Sequence, residues 1–147
     1  MKKLGLGLVL VSLLFLAGCT HIENGKYKEG TYFGSNVGEK TVATAVVYVA
    51  SDGKIKSVFL DTTYVKNNVS TTKKILGVAY GMKGASPIGK EWFEQVNTLE
   101  AKIVKEQGLE WFKYSNTEKT EIDSVSGVTI TVDALYNAVK TALDQAK

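Results

Sequence analysis

The chain contains no arginine: all 18 of its basic residues are lysines, set against 15 acidic residues and a single histidine. Lys2 and Lys3 at the N-terminus supply most of the +3 net charge, leaving 16 basic against 15 acidic groups. A near-neutral chain without a guanidinium has no bidentate partner for guanine or phosphate, so a nucleic-acid partner is excluded. One cysteine cannot form an internal disulfide, and one cysteine with one histidine cannot supply the four ligands of a structural zinc site. His21 lies near the N-terminus, ahead of any periodic segment, so Ser-His-Asp and Cys-His arrangements would have to be built on the least ordered part of the chain. The carboxylates are scattered. Glu91 with Glu94, and Glu118 with Glu121, stand at helical spacing and read as solvated surface. These absences point away from an autonomous hydrolase and toward a protein that binds or carries.

What is present begins with an address. Lys2 and Lys3 precede an apolar run from Leu4 to Ala17. As a helix this run would reach roughly 21 Å at 1.5 Å per residue, short of the ~30 Å hydrocarbon core. Its length and flanks fit a secretory signal peptide better than a permanent span. The run closes on Leu16-Ala17-Gly18-Cys19, which resembles a bacterial lipobox, with the chain's one thiol at the required place. The alternative is an ordinary signal peptide followed by a chance cysteine. On the lipobox reading, residues 1–18 are a lipoprotein signal peptide, Cys19 is the lipidation site and residues 19–29 form a tether. The mature protein then sits on the extracytoplasmic face of the cell membrane. Two acyl chains, of the palmitate class, anchor it stably at about 0.8 kcal/mol per buried methylene.

Residues 30–147 read as one small α+β domain, a hairpin-based antiparallel sheet packed with about three helices. Gly30–Gly34 and Thr41–Ala50 read as strands. Ser51-Asp52-Gly53-Lys54 is a tight-turn signal, because Asp-Gly accepts positive φ. Ile55–Thr62 returns as the partner strand, with Ile55, Ser57, Phe59 and Asp61 on one face and Val58 and Leu60 on the other. Thr71-Thr72 is positioned to cap a short helix to about Ala79. Pro87 suits the first turn of a longer helix. Trp92, Phe93, Val96, Leu99, Ile103 and Val104 recur at helical spacing as far as Gln107, with Gly108 as the stop. Val132, Leu135, Val139, Ala142 and Leu143 form the stripe of a last helix, with Thr131 as its expected N-cap.

Asp123-Ser124-Val125-Ser126-Gly127-Val128-Thr129-Ile130-Thr131 feeds that last helix. Hydroxyls and a glycine at a helix N-terminus suit an anion, since the first amides have no internal partner. A plain capping loop is the alternative reading of the same composition. The segment resembles the flavinylation motif of the FMN-binding domain family, a pattern of Asp, two variable residues, Ser or Thr, Gly, Ala, then Thr or Ser. Asp123, Ser126, Gly127 and Thr129 match it, and Val128 stands where the family has Ala. Ser86-Pro87-Ile88-Gly89, with Trp92 and Gln95 downstream, resembles the Thr-Pro-Gly-Leu-Gly segment of the family's ion-translocating members, one residue shorter. There the segment packs near the isoalloxazine ring.

The resemblance, over roughly residues 27–147, implies an FMN-binding domain at 30–147 that carries FMN through a phosphoester on Thr129. It implies that a Mg²⁺-dependent flavin transferase makes the bond with FAD as donor. Asp123, Ser126, Gly127, Val128, Pro87, Gly89 and Trp92 are its other expected cofactor-binding residues, and no metal ligand is expected. Tyr80, Met82 and Phe93 are further apolar neighbours for the ring, with core packing as the alternative for each aromatic. The expected function is an electron carrier rather than an enzyme acting alone. It would shuttle electrons from a membrane donor, a quinol or an electron-transfer complex, to an extracellular reductase, iron or another flavoprotein. The alternative is a non-flavinylated ligand-binding or interaction module of the same fold, using the Gly81–Gly89 region.

Overall fold

The computed structural model describes residues 24–117, 122 and 125–147. Residues 1–18, read above as a signal peptide, and Cys19, His21, Glu118, Glu121 and Asp123 lie outside the described residues. Four strands, β1 (Gly30–Val37), β2 (Val42–Val49), β3 (Ile55–Lys66) and β4 (Val69–Thr72), form a sheet in the order β1-β2-β3-β4 with antiparallel neighbours. Three helices follow: α1 (Lys73–Leu76), α2 (Trp92–Glu106) and α3 (Asp133–Gln145), with a 3₁₀ turn at Gly77–Tyr80 after α1. The fold is α+β, as the sequence predicts. Helices α2 and α3 cover one face, α2 against β3 and α3 against β1 and β2. No helix of the described residues is long and apolar enough to cross a membrane.

Alternation places Ala43, Ala45, Val47 and Val49 of β2 under the helices, where they meet Val96, Leu99 and Ile103 of α2 and Leu135, Val139 and Ala142 of α3 in one core. Gly34 lets α3 approach β1, since a Cβ there would lie 2.0 Å from the Ala138 carbonyl oxygen. The Asp52–Gly53 turn forms as expected, with Gly53 at φ 70°. The register then slips between Tyr48 and Val49, pairing Tyr48 with Ser57 but Val49 with Ile55. This bulge corrects the expected facing of β3: Ile55 joins Val58 and Leu60 in the core instead of facing out with Ser57 and Phe59.

Four further expectations are corrected. Beyond Thr62, β3 continues to Lys66 and turns back through Asn67 and Asn68, at φ 51° and 61°, into β4. Asparagine tolerates that left-handed region, so the Asn-Asn pair was the available turn signal. Pro87 is exposed and precedes α2, which starts at Trp92 because Glu91 caps it. Glu91 and Glu94 form a reciprocal capping box: Glu91 is buried rather than solvated surface, while Glu94 is exposed as expected. The cap of α3 is Val132, with no side-chain bond, rather than Thr131. Thr72 does cap α1, accepting from the Ile75 amide at 3.3 Å.

Candidate flavin site

Residues 128–132 run into α3 with alternating exposure: Val128, Ile130 and Val132 are buried, and Thr129 and Thr131 are exposed. Three apolar side chains thus fasten the loop to the core and leave Thr129 and Thr131 at the surface. Thr129 is fixed further by Gln95, a fully buried residue of α2's first turn. Gln95 Oε1 accepts from both the Thr129 amide, at 2.7 Å, and the Thr129 hydroxyl, at 3.1 Å. Its Nε2 donates to Ser86 Oγ at 3.2 Å and to the Lys90 carbonyl at 3.4 Å. A buried amide with every polar atom engaged is rigid, and replacing it strands several partners at once. Gln95 therefore joins the Ser86–Lys90 segment to the loop of Thr129.

Thr129 opens onto a cleft of about 270 Å³ lined by Lys73, Tyr80, Met82, Trp92, Ile130 and Thr131. The Lys73 ammonium lies 5.1 Å from the Tyr80 ring centroid and 5.2 Å from that of Trp92, within cation–π range of both. Tyr64 meets Tyr80 edge-on at 5.1 Å. The Met82 amide donates to Glu91 Oε2 at 2.9 Å, so α2's capping residue also holds the loop that brings Met82 to the cleft.

The expected site residues separate into groups. Thr129 and Trp92 line the cleft, with Tyr80 and Met82, while Phe93 packs half-buried against the core. Val128 points into the core, so its extra methyl groups are directed away from the Thr129 hydroxyl's side of the loop. Gly127 takes φ 84°, and a Cβ there would meet Lys90 Nζ at 3.2 Å. Ser126 borders a different depression, with Thr98, Lys102 and Lys105. Pro87 and Gly89 lie exposed in the turn between Ser86 and Lys90, outside the cleft lining, with Gly89 at φ 62°. Sequence reasoning missed Lys73 and Ile130 as lining residues, and it named Gln95 only within the likeness of the Ser86–Gln95 segment, without a contact to Thr129. The signal for Gln95 was a polar residue beside Val96 on the buried stripe of a helix.

The first turn of α3 is less open to an anion than the sequence suggests, because Asp133 places a carboxylate there. That carboxylate accepts from the Tyr114 hydroxyl at 2.9 Å and from Asn137 Nδ2 at 3.2 Å. Burial, and then the bond to Asp133, push the Tyr114 phenol well above its ordinary range. The cation in the cleft with Thr129 is Lys73. Among the described residues no cluster of three His, Cys, Asp or Glu side chains is placed to hold a metal.

A surface threonine at an aromatic cleft, with an ammonium near two rings, suits a planar aromatic ligand bearing a phosphate. The residues fit FMN. The FMN-binding domain model matches residues 38–144, and the chain belongs to that family. A solution NMR structure of a protein from Clostridium thermocellum is similar at 25% identity, covering 80% of this chain and 91% of that one, with a TM-score of 0.55. No curated protein matches the chain. FMN is thus the cofactor that membership of the family supports.

Proposed function

We propose that the protein carries FMN covalently on Thr129 and shuttles electrons outside the cell while anchored to the membrane through Cys19. The observation that carries this reading is Thr129, an exposed residue at an aromatic cleft whose hydroxyl is held by Gln95, in a chain of the FMN-binding domain family. In the attachment step Thr129 Oγ forms a bond to the FMN phosphorus of FAD. The pyrophosphate bond breaks, AMP leaves and the hydroxyl proton is released. A flavin transferase with Mg²⁺ supplies the catalysis. Gln95 keeps the Thr129 amide bond after the hydroxyl proton has gone, so the loop stays seated. Lys73 offers positive charge in the cleft, and Tyr80 and Trp92 offer apolar faces. When bound, the flavin supplies one- and two-electron transfer, while the protein supplies attachment, orientation and polarity.

Covalent attachment suits an extracytoplasmic carrier, because a reversibly held cofactor would diffuse away. Donors of the expected kind are a membrane quinol or a membrane electron-transfer complex, and acceptors are an extracellular reductase, iron or another flavoprotein.

Intact mass after co-expression with a flavin transferase tests the central step. Wild type and Thr131→Ala are expected to gain one FMN less one water, and Thr129→Ala to gain nothing. A gain that persists in Thr129→Ala moves the site elsewhere. No gain in wild type with several transferases favours the non-flavinylated ligand module instead. For the anchor, Cys19→Ala is expected to abolish lipid labelling and to release the protein from the membrane fraction, and unchanged labelling removes the lipoprotein reading.

A further inference from the structure

From Thr62 to Lys90 the chain carries five lysines and no acidic residue, although the remaining 13 lysines are outnumbered by 15 acidic groups. This segment comprises the end of β3, β4, α1, the 3₁₀ turn and the loop before α2. Lys66 donates to the Ala79 carbonyl and Tyr64 packs on Tyr80, so the hairpin end and the 3₁₀ turn form one surface. That surface is also apolar: Val65, Val69, Ile75 and Val78 are between 61% and 77% exposed. Lys74 is paired with Glu100, but among the described residues Lys66, Lys73, Lys83 and Lys90 enter no ion pair. The nearby carboxylates face backbone instead. Asp61 accepts from the Thr62 and Lys74 amides, Glu91 from Met82, and Glu94 from Glu91. A cationic surface with exposed apolar side chains therefore adjoins the cleft that Lys73, Tyr80 and Met82 line.

The chain enters at the opposite end. The Gly25 and Tyr27 amides donate to the Asp52 and Gly53 carbonyls, at the β2–β3 turn. From that turn β3 runs 12 residues to Lys66, about 40 Å at 3.3 Å per residue. On the lipid-anchored reading, Cys19 stands six residues before Gly25. Those residues extend at most ~20 Å, half the length of β3, so an upright domain holds its far end well clear of the membrane.

We propose that this end of the molecule is a docking surface for an acidic protein, one whose apolar centre is ringed by carboxylates. Opposite charge would steer the encounter, and the exposed valines and Ile75 would supply apolar contact. That the docked protein exchanges electrons with the cleft rests on the flavin reading above; the docking itself does not.

The test uses the mature chain, residues 19–147, carrying Cys19→Ser and Thr129→Ala, so that neither lipid nor flavin enters the result. The probe is the soluble haem domain of cytochrome b5, an acidic protein, titrated by calorimetry and by amide NMR at low and high salt. Amide shifts are expected to cluster in residues 62–90, and affinity to fall about tenfold or more as salt screens the charges. Lys66→Glu with Lys83→Glu is expected to weaken binding about tenfold, whereas Lys28→Glu with Lys105→Glu, an equal charge change elsewhere, changes it less than about twofold. Lys83→Glu alone, on an exposed loop, keeps the test valid if the Lys66 variant unfolds. Ile75→Ser with Val78→Ser is expected to weaken binding without changing its salt dependence. Equal losses in the two lysine pairs, or shifts outside residues 62–90, overturn the proposal. So does binding of phosphatidylglycerol vesicles through these residues with none of the acidic protein, which makes the surface a membrane contact.

Discussion

The amide and the hydroxyl of Thr129 converge on one oxygen, Gln95 Oε1, at 2.7 and 3.1 Å. The two residues lie 34 positions apart and on different elements, so the first turn of α2 sets where the hydroxyl of the last loop stands. Gln95 also reaches Ser86, which makes one buried side chain the junction of three segments. Gln95→Leu keeps the volume but takes the acceptor from the Thr129 amide and leaves Ser86 Oγ only the Lys90 amide, at a cost of about 1–3 kcal/mol per group left unsatisfied. Gln95→Glu keeps an acceptor for Thr129 and loses both Nε2 donors. Flavinylation rates with purified transferase are expected in the order wild type, Gln95→Glu, Gln95→Leu, all measured below each protein's melting point. A destabilised Gln95→Leu modified at the wild-type rate would reduce Gln95 to a packing role.

Trp92 is both core and cleft wall: it is 3% exposed and borders the same space as Thr129. Truncation to Ala is expected to cost about 3–5 kcal/mol, so it confounds stability with flavin contact. Trp92→Phe keeps an aromatic face and is the cleaner variant. It is expected to shift the visible absorption of the attached flavin and to relieve part of its fluorescence quenching, at a much smaller loss of stability. Spectra unchanged per bound flavin would place Trp92 in the core alone.

Two glycines test the packing of the sheet against its helices. A Cβ at Gly34 would meet the Ala138 carbonyl oxygen at 2.0 Å and the Ala142 nitrogen at 2.7 Å, both backbone of α3. Gly34→Ala is expected to lose about 3 kcal/mol by urea unfolding, because a helix must move rather than a side chain. At Gly84 an added Cβ meets nothing within 4 Å, and Gly84→Ala is expected to stay within about 0.5 kcal/mol of wild type.

Asp144 gives the fold an acid-sensitive contact. Hydrogen bonds from Lys140 and then Lys147, each at 2.6 Å, hold its carboxyl at about 2, below an ordinary value of 3.8. A carboxyl depressed in the folded state stabilises that state above its unfolded value and loses the contribution as pH falls through the folded one. Thermal midpoints of wild type are therefore expected to fall between pH of about 4 and 2 by more than those of Asp144→Asn. The group is exposed, so high salt is expected to shrink the difference. Identical pH profiles for the two proteins would show that the pair contributes nothing measurable.

Apolar periodicity determined the α+β class and the bodies of α2 and α3, and the Asp-Gly pair the turn at Asp52–Gly53, since these follow from local geometry and from which face of an element is buried. The Asp123–Thr129 motif likewise singled out the Thr129 hydroxyl, through its likeness to a known pattern. Only the tertiary structure decided the rest. One register slip at Tyr48–Val49 turned Ile55 inward, because strand facing has a period of two and one extra residue reverses it. Glu91 looked like a surface charge until the Met82 amide and the start of α2 needed an acceptor. Lys73, Tyr80, Trp92 and Thr129 come from four separate stretches, and no spacing along the chain relates them. Along the chain Gln95 was legible only through the likeness of the Ser86–Gln95 segment. Its role depends on burial opposite Ser86 and Thr129, where a polar group must find partners because water cannot reach it.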